Sequence, residues 1–277
     1  MCVLNQQIQL TIFSIFKTKQ KYINLLAIKK RVQDCELDNA KVQSNITKQR
    51  RGLQVLFNFS GHPAIIQLHR IFDTPNALIS VMEFADGGDL YDRITSKIQL
   101  TEKESTHILQ QIASAVVFLH VSGFCHRDIK PENICSVIAL DNSIVWKLCD
   151  FGFAREFESV RKEESGLGLC GGGGGGGSTD WCTTVCGTQG YCAPEIFLNQ
   201  PYSGKSVDVY ALGVVGHMAM GGYLPFKDGG VTVVFHPERW SNASERSKDF
   251  IAKCCEINPM ERLSSEQLRE HLFLKED

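Results

Sequence analysis

The sequence predicts an α+β fold: a small antiparallel sheet with one helix, followed by a larger and mainly helical region. Three observations point there. Short apolar runs of strand type recur through the first ~85 residues. Behind Gly87-Gly88 the apolar spacing changes to that of helices. A chain of 277 residues, 43% apolar and 22% charged, can bury one large core or two lobes sharing a cleft.

In chain order, residues 8–16 and 22–29 read as short strands, the second holding the buried run Leu25-Leu26-Ala27-Ile28. Residues 34–58, polar with scattered apolar positions, suit a helix. Residues 65–72 and 77–84 are strand-like, separated by the turn Asp73-Thr74-Pro75-Asn76. Thr101-Glu102-Lys103-Glu104 is a capping-box pattern, and the helix behind it should bury Ile108, Ile112, Ala115, Val116 and Leu119. Ser244 is expected to cap a helix that buries Phe250, Ile251, Cys254 and Cys255. Ser264-Ser265-Glu266-Gln267 offers a second capping box. Residues 171–177 are seven consecutive glycines inside a Gly/Ser-rich stretch at 165–179, which reads as a flexible linker.

The net charge of −2 is unevenly spread: residues 1–60 carry ten Lys/Arg against three Asp/Glu. No aromatic–basic interleaving accompanies this excess, so a solvated basic face is expected and no nucleic-acid partner. No stretch reaches the ~18 uncharged apolar residues of a membrane helix; the best, 207–226, contains Asp208 and His217. Residues 1–10 lack the charged start and apolar run of a secretion signal. With eleven irregularly spaced cysteines, the expectation is a reducing intracellular compartment, cytoplasmic or nuclear, without a membrane. Cys170, Cys182, Cys186 and Cys192 match no zinc template by spacing, so they are expected to be reduced and independent.

The strongest chemical signal is His126-Arg127-Asp128-Ile129-Lys130-Pro131-Glu132-Asn133. Asp150-Phe151-Gly152, Gly187-Thr188 and Ala193-Pro194-Glu195 follow. In this order and separation, these elements resemble the eukaryotic protein kinase family, serine/threonine branch. The wording Gly87-Gly88-Asp89-Leu90-Tyr91-Asp92-Arg93-Ile94 looks most similar to the calcium/calmodulin-dependent group. The resemblance implies a bilobal protein kinase fold with an N-lobe at 1–84, a C-lobe at 85–277 and an activation segment at 150–195. It also implies ATP and Mg²⁺ as cofactors and protein substrates as partners.

Carried residue by residue, the resemblance implies that Asp128 accepts or orients the substrate hydroxyl's proton while Lys130 lies near the transferring phosphate. Asn133 and Asp150 would offer hard oxygen ligands to Mg²⁺. Lys29 would hold the α- and β-phosphates. Glu83 C=O and Ala85 N–H would bond adenine, with Met82 guarding the back of the pocket. Asp89 and Glu132 would face the ribose or an Arg upstream of the target hydroxyl. His126 and Phe151 would be structural, in an apolar column with Leu56 and Leu68 anchored by Asp208. Glu195 would pair with Arg262, and Thr188 would contact Asp128 and Lys130. Arg127 would read a phosphate placed by an upstream kinase on Thr184, with Thr183 and Thr179 as the next candidates.

Three departures stand beside this. Residues 1–51 contain no glycine, so the phosphate-covering glycine-rich loop is absent. No Glu occurs between Glu36 and Glu83, and the helix Glu expected to pair with Lys29 falls on Gly52. Only eight residues separate Phe226 from Phe235, where the family has a further helix. The expectation is a serine/threonine kinase acting on protein substrates. The alternative is a pseudokinase or scaffolding module with impaired ATP binding, or a truncated reading of an active kinase.

Overall fold

The early elements run β1 (Thr11–Ile12), β2 (Leu26–Val32), α1 (Asn39–Phe59), β3 (Leu68–Thr74) and β4 (Ala77–Glu83). Their strands form one antiparallel sheet in the order β1-β2-β4-β3. The computed structural model describes residues 11–12, 26–32, 39–74, 77–157, 180–198, 200–226 and 232–275. The rest of the strands predicted at 8–16 and 22–29, and the glycine run, lie outside them. Strand β3 starts three residues later than the apolar pattern predicts, and the reason is a competing partner. Ile65 bridges Leu148, and the Ile66 N–H donates to the Leu148 carbonyl at 3.1 Å. The chain therefore pairs first with a hairpin of the helical region and only then joins the sheet.

That region begins with α2 (Leu90–Lys97) and α3 (Glu102–Val121). The predicted face of α3 is buried along its length. Thr101 accepts the Glu104 N–H at 3.2 Å, but the reciprocal half of the predicted capping box does not form. The Glu104 carboxylate lies 2.6 Å from Arg93 and 3.1 Å from Lys97 instead. Two cations outcompete one neutral N–H. Burial raises the Glu104 carboxyl, yet these partners hold it below the usual carboxylate range.

Next come β5 (Phe124–Cys125), the hairpin β6 (Ile134–Ile138) and β7 (Ile144–Leu148), and β8 (Arg155–Glu156), which pairs with β5. Then β9 (Trp181–Cys182) pairs with β10 (Tyr202–Ser203), and α4 (Gly204–Gly221), α5 (Pro237–Trp240), α6 (Glu245–Cys254) and α7 (Ser265–Glu270) complete the region. Helix α4 is buried almost all round, the signature of a helix central to a core. Gly213 permits this, because a β-carbon there would lie 2.5 Å from Cys254 Cβ of α6. Ser244 caps α6 by accepting the Ser247 N–H at 3.1 Å, and Ser264 with Gln267 forms the predicted capping box on α7. Among the described residues no helix is long and apolar enough to cross a membrane.

One ion pair locks the far side of α4. Arg262 donates to both Glu195 oxygens, at 2.5 and 3.0 Å, and also to the Ser206 and Glu256 carbonyls at 3.1 and 2.8 Å. Both partners are buried. Removing one strands the other charge in a low-dielectric setting, so Arg262→Ala is expected to lower the unfolding free energy by about 3–5 kcal/mol. Urea denaturation checks this; a loss below about 1 kcal/mol would show that water reaches Glu195.

Candidate active site

The loop 126–133 lies between β5 and β6 and is hung from one carboxylate. Asp208, in α4 and 1% exposed, accepts the His126 N–H at Oδ2 and the Arg127 N–H at Oδ1, both at 2.7 Å. Arg127 has φ of +64°, a left-handed conformation that a long side chain adopts at a cost. The two bonds to Asp208 hold it there. His126 lies with Nε2 3.0 Å from the Cys149 carbonyl, and its Nδ1 accepts the Asp128 N–H at 3.3 Å. One donor and one acceptor place the imidazole proton on Nε2. The Phe151 ring packs edge-on against His126, with centroids 4.9 Å apart, and Leu56 and Leu68 are buried.

Four polar side chains then converge. Thr188 Oγ1 donates to Asp128 Oδ1 at 2.7 Å and accepts from Lys130 Nζ at 2.8 Å. Lys130 Nζ also lies 3.4 Å from Asp128 Oδ2. Asn133 Nδ2 donates to the Asp128 carbonyl at 2.8 Å and to Oδ2 at 3.0 Å. That commits the amide nitrogen, so the atom Asn133 can offer a cation is Oδ1. Asp150, at φ +54°, accepts the Gly152 N–H at 3.3 Å. Hydrogen bonding between the Cys149 N–H and the Asn133 carbonyl, at 2.8 Å, fixes the register of the two metal-ligand candidates. Their hard oxygens suit a small divalent cation whose remaining positions are filled by water or ligand oxygens. Among the described residues no group of three or more His, Cys, Asp or Glu could hold a metal.

Lys130, Asn133 and Asp150 open onto a cavity of about 610 Å³ between sheet and helical region, whereas Asp128 and Thr188 line a smaller adjoining recess with Gly187 and Tyr191. Met82, Glu83, Ala85, Asp89, Lys130, Glu132, Asn133 and Asp150 all line it. Lys29 pairs through its backbone with Ser80, another lining residue; its side chain lies outside the described ones. Two of the lining carboxylates have structural uses that sequence reasoning did not assign. Asp89 caps α2 by accepting the Asp92 N–H at 2.8 Å. Glu83 lies 3.0 Å from Lys147 and accepts the Gln67 N–H at 3.2 Å.

The Arg127 guanidinium is engaged on two sides. Its Nε donates to the Phe153 carbonyl at 2.9 Å and its Nη1 to Tyr202 Oη at 3.4 Å. Tyr202 Oη in turn donates to the Thr184 carbonyl at 2.6 Å. Tyr202, a residue no motif singled out, is thus the link between Arg127 and the exposed Thr184. Thr183 is exposed too, while Thr179 and Cys170 lie outside the described residues. Cys182 is free, like Cys186 and Cys192, but it has a sulfur neighbour outside the activation segment. It lies beside Cys125 next to Gly204, and the neighbouring Cys125 thiol together with the Arg127 guanidinium draws its pKa down to about 7.

Gly52, the position where a helix Glu was expected, is buried against the metal-ligand loop. A β-carbon there would overlap the Phe151 carbonyl oxygen and lie 2.7 Å from its carbon. Helix propensity favours Gly52→Ala by about 1 kcal/mol. Overpacking against backbone opposes it by about 1–3 kcal/mol or more. A net destabilisation is therefore expected on thermal unfolding, whereas Gly61→Ala, with open space around the new carbon, should be neutral. A stabilised Gly52→Ala would show that α1 is free to withdraw.

The protein kinase domain profile matches residues 12–274. Calcium/calmodulin-dependent protein kinase type 1B of Rattus norvegicus is 34% identical over 226 residues, covering 78% of this chain and 60% of that protein. Serine/threonine-protein kinase H1 of Homo sapiens is 34% identical over 242 residues, covering 81% and 52%. Calcium/calmodulin-dependent protein kinase type I of Schizosaccharomyces pombe is 35% identical over 225 residues, covering 78% and 62%. The chain spans between about half and three fifths of the length of these relatives. The ordered loop, the cavity and the extent of these matches agree, and the chain belongs to the protein kinase domain family.

Proposed function

We propose that the chain transfers the γ-phosphate of ATP to serine or threonine hydroxyls of protein substrates. The observation that carries the reading is the hydrogen-bonded Asp128–Thr188–Lys130–Asn133 network, whose Lys130 and Asn133 line the cavity together with Asp150. In it, Asp128 accepts the substrate hydroxyl's proton, or orients the hydroxyl for in-line attack. Lys130 lies across Thr188 from that carboxylate and balances negative charge as the phosphoryl group moves. Asn133 Oδ1 and Asp150 would hold Mg²⁺, which would supply positive charge to neutralise the phosphates. Backbone groups of Glu83 and Ala85 would receive the adenine, with Met82 behind it. Lys29 would reach the phosphates from β2.

The lobes divide at 84 and 85, and residues 150–195 serve as the activation segment. Asp89 and Glu132 give the cavity rim acidic groups that favour an Arg upstream of the target hydroxyl. Thr184 is the site for an upstream kinase, its phosphate drawing on Arg127 through the Tyr202 linkage.

The test is MgATP-dependent phosphorylation of basic peptides by the full chain. Asp128→Asn is expected to lower kcat by about 10²–10⁴ with ATP affinity retained. Asp150→Asn should lower both turnover and Mg²⁺-dependent nucleotide binding. Removing the upstream Arg should raise KM more than it lowers kcat. Nucleotide binding with no turnover, unaltered by Asp128→Asn, would establish a non-catalytic module instead.

A further inference from the structure

The floor of the cavity carries two thiols that the phosphoryl-transfer reading does not use. Cys135 lies in β6 opposite Lys147 of β7, in antiparallel register. Cys149 follows β7 two residues beyond Lys147, so it stands diagonally across from Cys135 on the same face of the hairpin. The Cys149 thiol donates to the Lys147 carbonyl at 3.5 Å, both cysteines are partly buried, and both line the cavity. Neither is in a disulfide. Diagonal cross-strand neighbours stand about 7–8 Å apart at Cα, at or beyond the ~7 Å that a disulfide bridges without backbone movement. Direct oxidation to a disulfide is therefore disfavoured, whereas one soft atom with two open valences spans the sulfurs.

We propose that Cys135 and Cys149 form a dithiol site in the cavity floor that captures trivalent arsenicals and chemically similar soft electrophiles. The step is a condensation: R–As=O and two thiols give R–As(S–Cys)₂ and water. Two As–S bonds form, the arsenic–oxygen bond breaks, both thiol protons leave on the oxygen, and arsenic stays trivalent. Soft sulfur ligands suit it. Among the described residues, burial and place in the cavity set this pair apart. Cys125 and Cys182 are also neighbours, but both are fully enclosed, as are the adjacent Cys254 and Cys255. Cys192, which directs its thiol at the Cys186 carbonyl, lies outside the lining of this cavity.

The test is addition of one equivalent of phenylarsine oxide to the native full chain, read by intact mass and by iodoacetamide footprinting. The expected result is a gain of one arsenical less one water, with Cys135 and Cys149 alone protected. Cys135→Ser and Cys149→Ser should each weaken retention at least about ten-fold, or ~1.4 kcal/mol. Thermal melts without arsenical verify folding, and Cys→Ala versions replace any serine variant that does not fold. An adduct that maps to other cysteines, or that survives both substitutions, overturns the proposal. Displacement of nucleotide by the arsenical rests on the kinase reading and is measured separately. Capture at Cys135 and Cys149 in a chain that binds no MgATP would overturn that reading and support the dithiol site.

Discussion

The buried carboxylate of Asp208 meets donors on three sides: the N–H groups of His126 and Arg127, and Nε2 of His120 at 3.0 Å. Its desolvation is costly, and charge-assisted bonds to fixed donors are what make it tolerable. His120 Nδ1 is buried and has no hydrogen-bond partner among the described residues, so the contact of this ring with the carboxylate runs through Nε2. The carboxylate sits on α4, which α3, α6 and α7 enclose. Its position is therefore set by the most confined helix of the fold. The left-handed turn at Arg127 persists because that confinement over-determines it.

From this point the rest of the site follows by short connections. Turning the chain at Arg127 presents Asp128 to Thr188 and Lys130. His126, on the other side of the turn, bonds the Cys149 carbonyl and so ties the loop to the end of β7. The next residue there is Asp150. Asn133 closes the circuit, its side chain on Asp128 and its carbonyl on the Cys149 N–H. Reacting carboxylate and metal-ligand candidates are thus held by one hydrogen-bonded circuit running through backbone. A rearrangement at Asp208 would be felt at Asp150 without any direct contact between them.

The parts of this legible in the sequence share one property: their geometry is local or set by a fixed motif. The apolar period of α3 and the caps at Ser244 and Ser264 depend on residues within a few positions of each other, while the loop 126–133 is legible as a fixed motif although distant Asp208 holds it. What escaped were choices between local and distant partners. Glu104 leaves its capping box for Arg93 and Lys97. Ile65 and Ile66 leave the predicted strand for Leu148. Cys125 and Cys182, 57 residues apart, meet only because β5 and β9 both lie against Gly204 at the start of α4. Spacing rules carry no information about such encounters. The Tyr202 bridge was hidden for the same reason: its hydroxyl acts on Arg127 and Thr184, neither a sequence neighbour.

The missing helix Glu also changes meaning once α1 is placed. Read from sequence, Gly52 is a loss: a carboxylate that should orient Lys29 is gone. In the structure the absence of a side chain is what lets α1 lie directly on the Phe151 carbonyl. The two features cannot be separated, because no carboxylate fits at Gly52 while that contact exists. Restoring Glu would require α1 to retreat, and with it Leu56, which is buried beside the same cavity. The orientation of Asp150 therefore draws on backbone contacts, Cys149 to Asn133 and Gly152 to Asp150, and on the seating of α1. At Gly52 the site relies not on a carboxylate, whose attraction would vary with salt and solvent, but on close packing, which is indifferent to both but intolerant of a single added carbon.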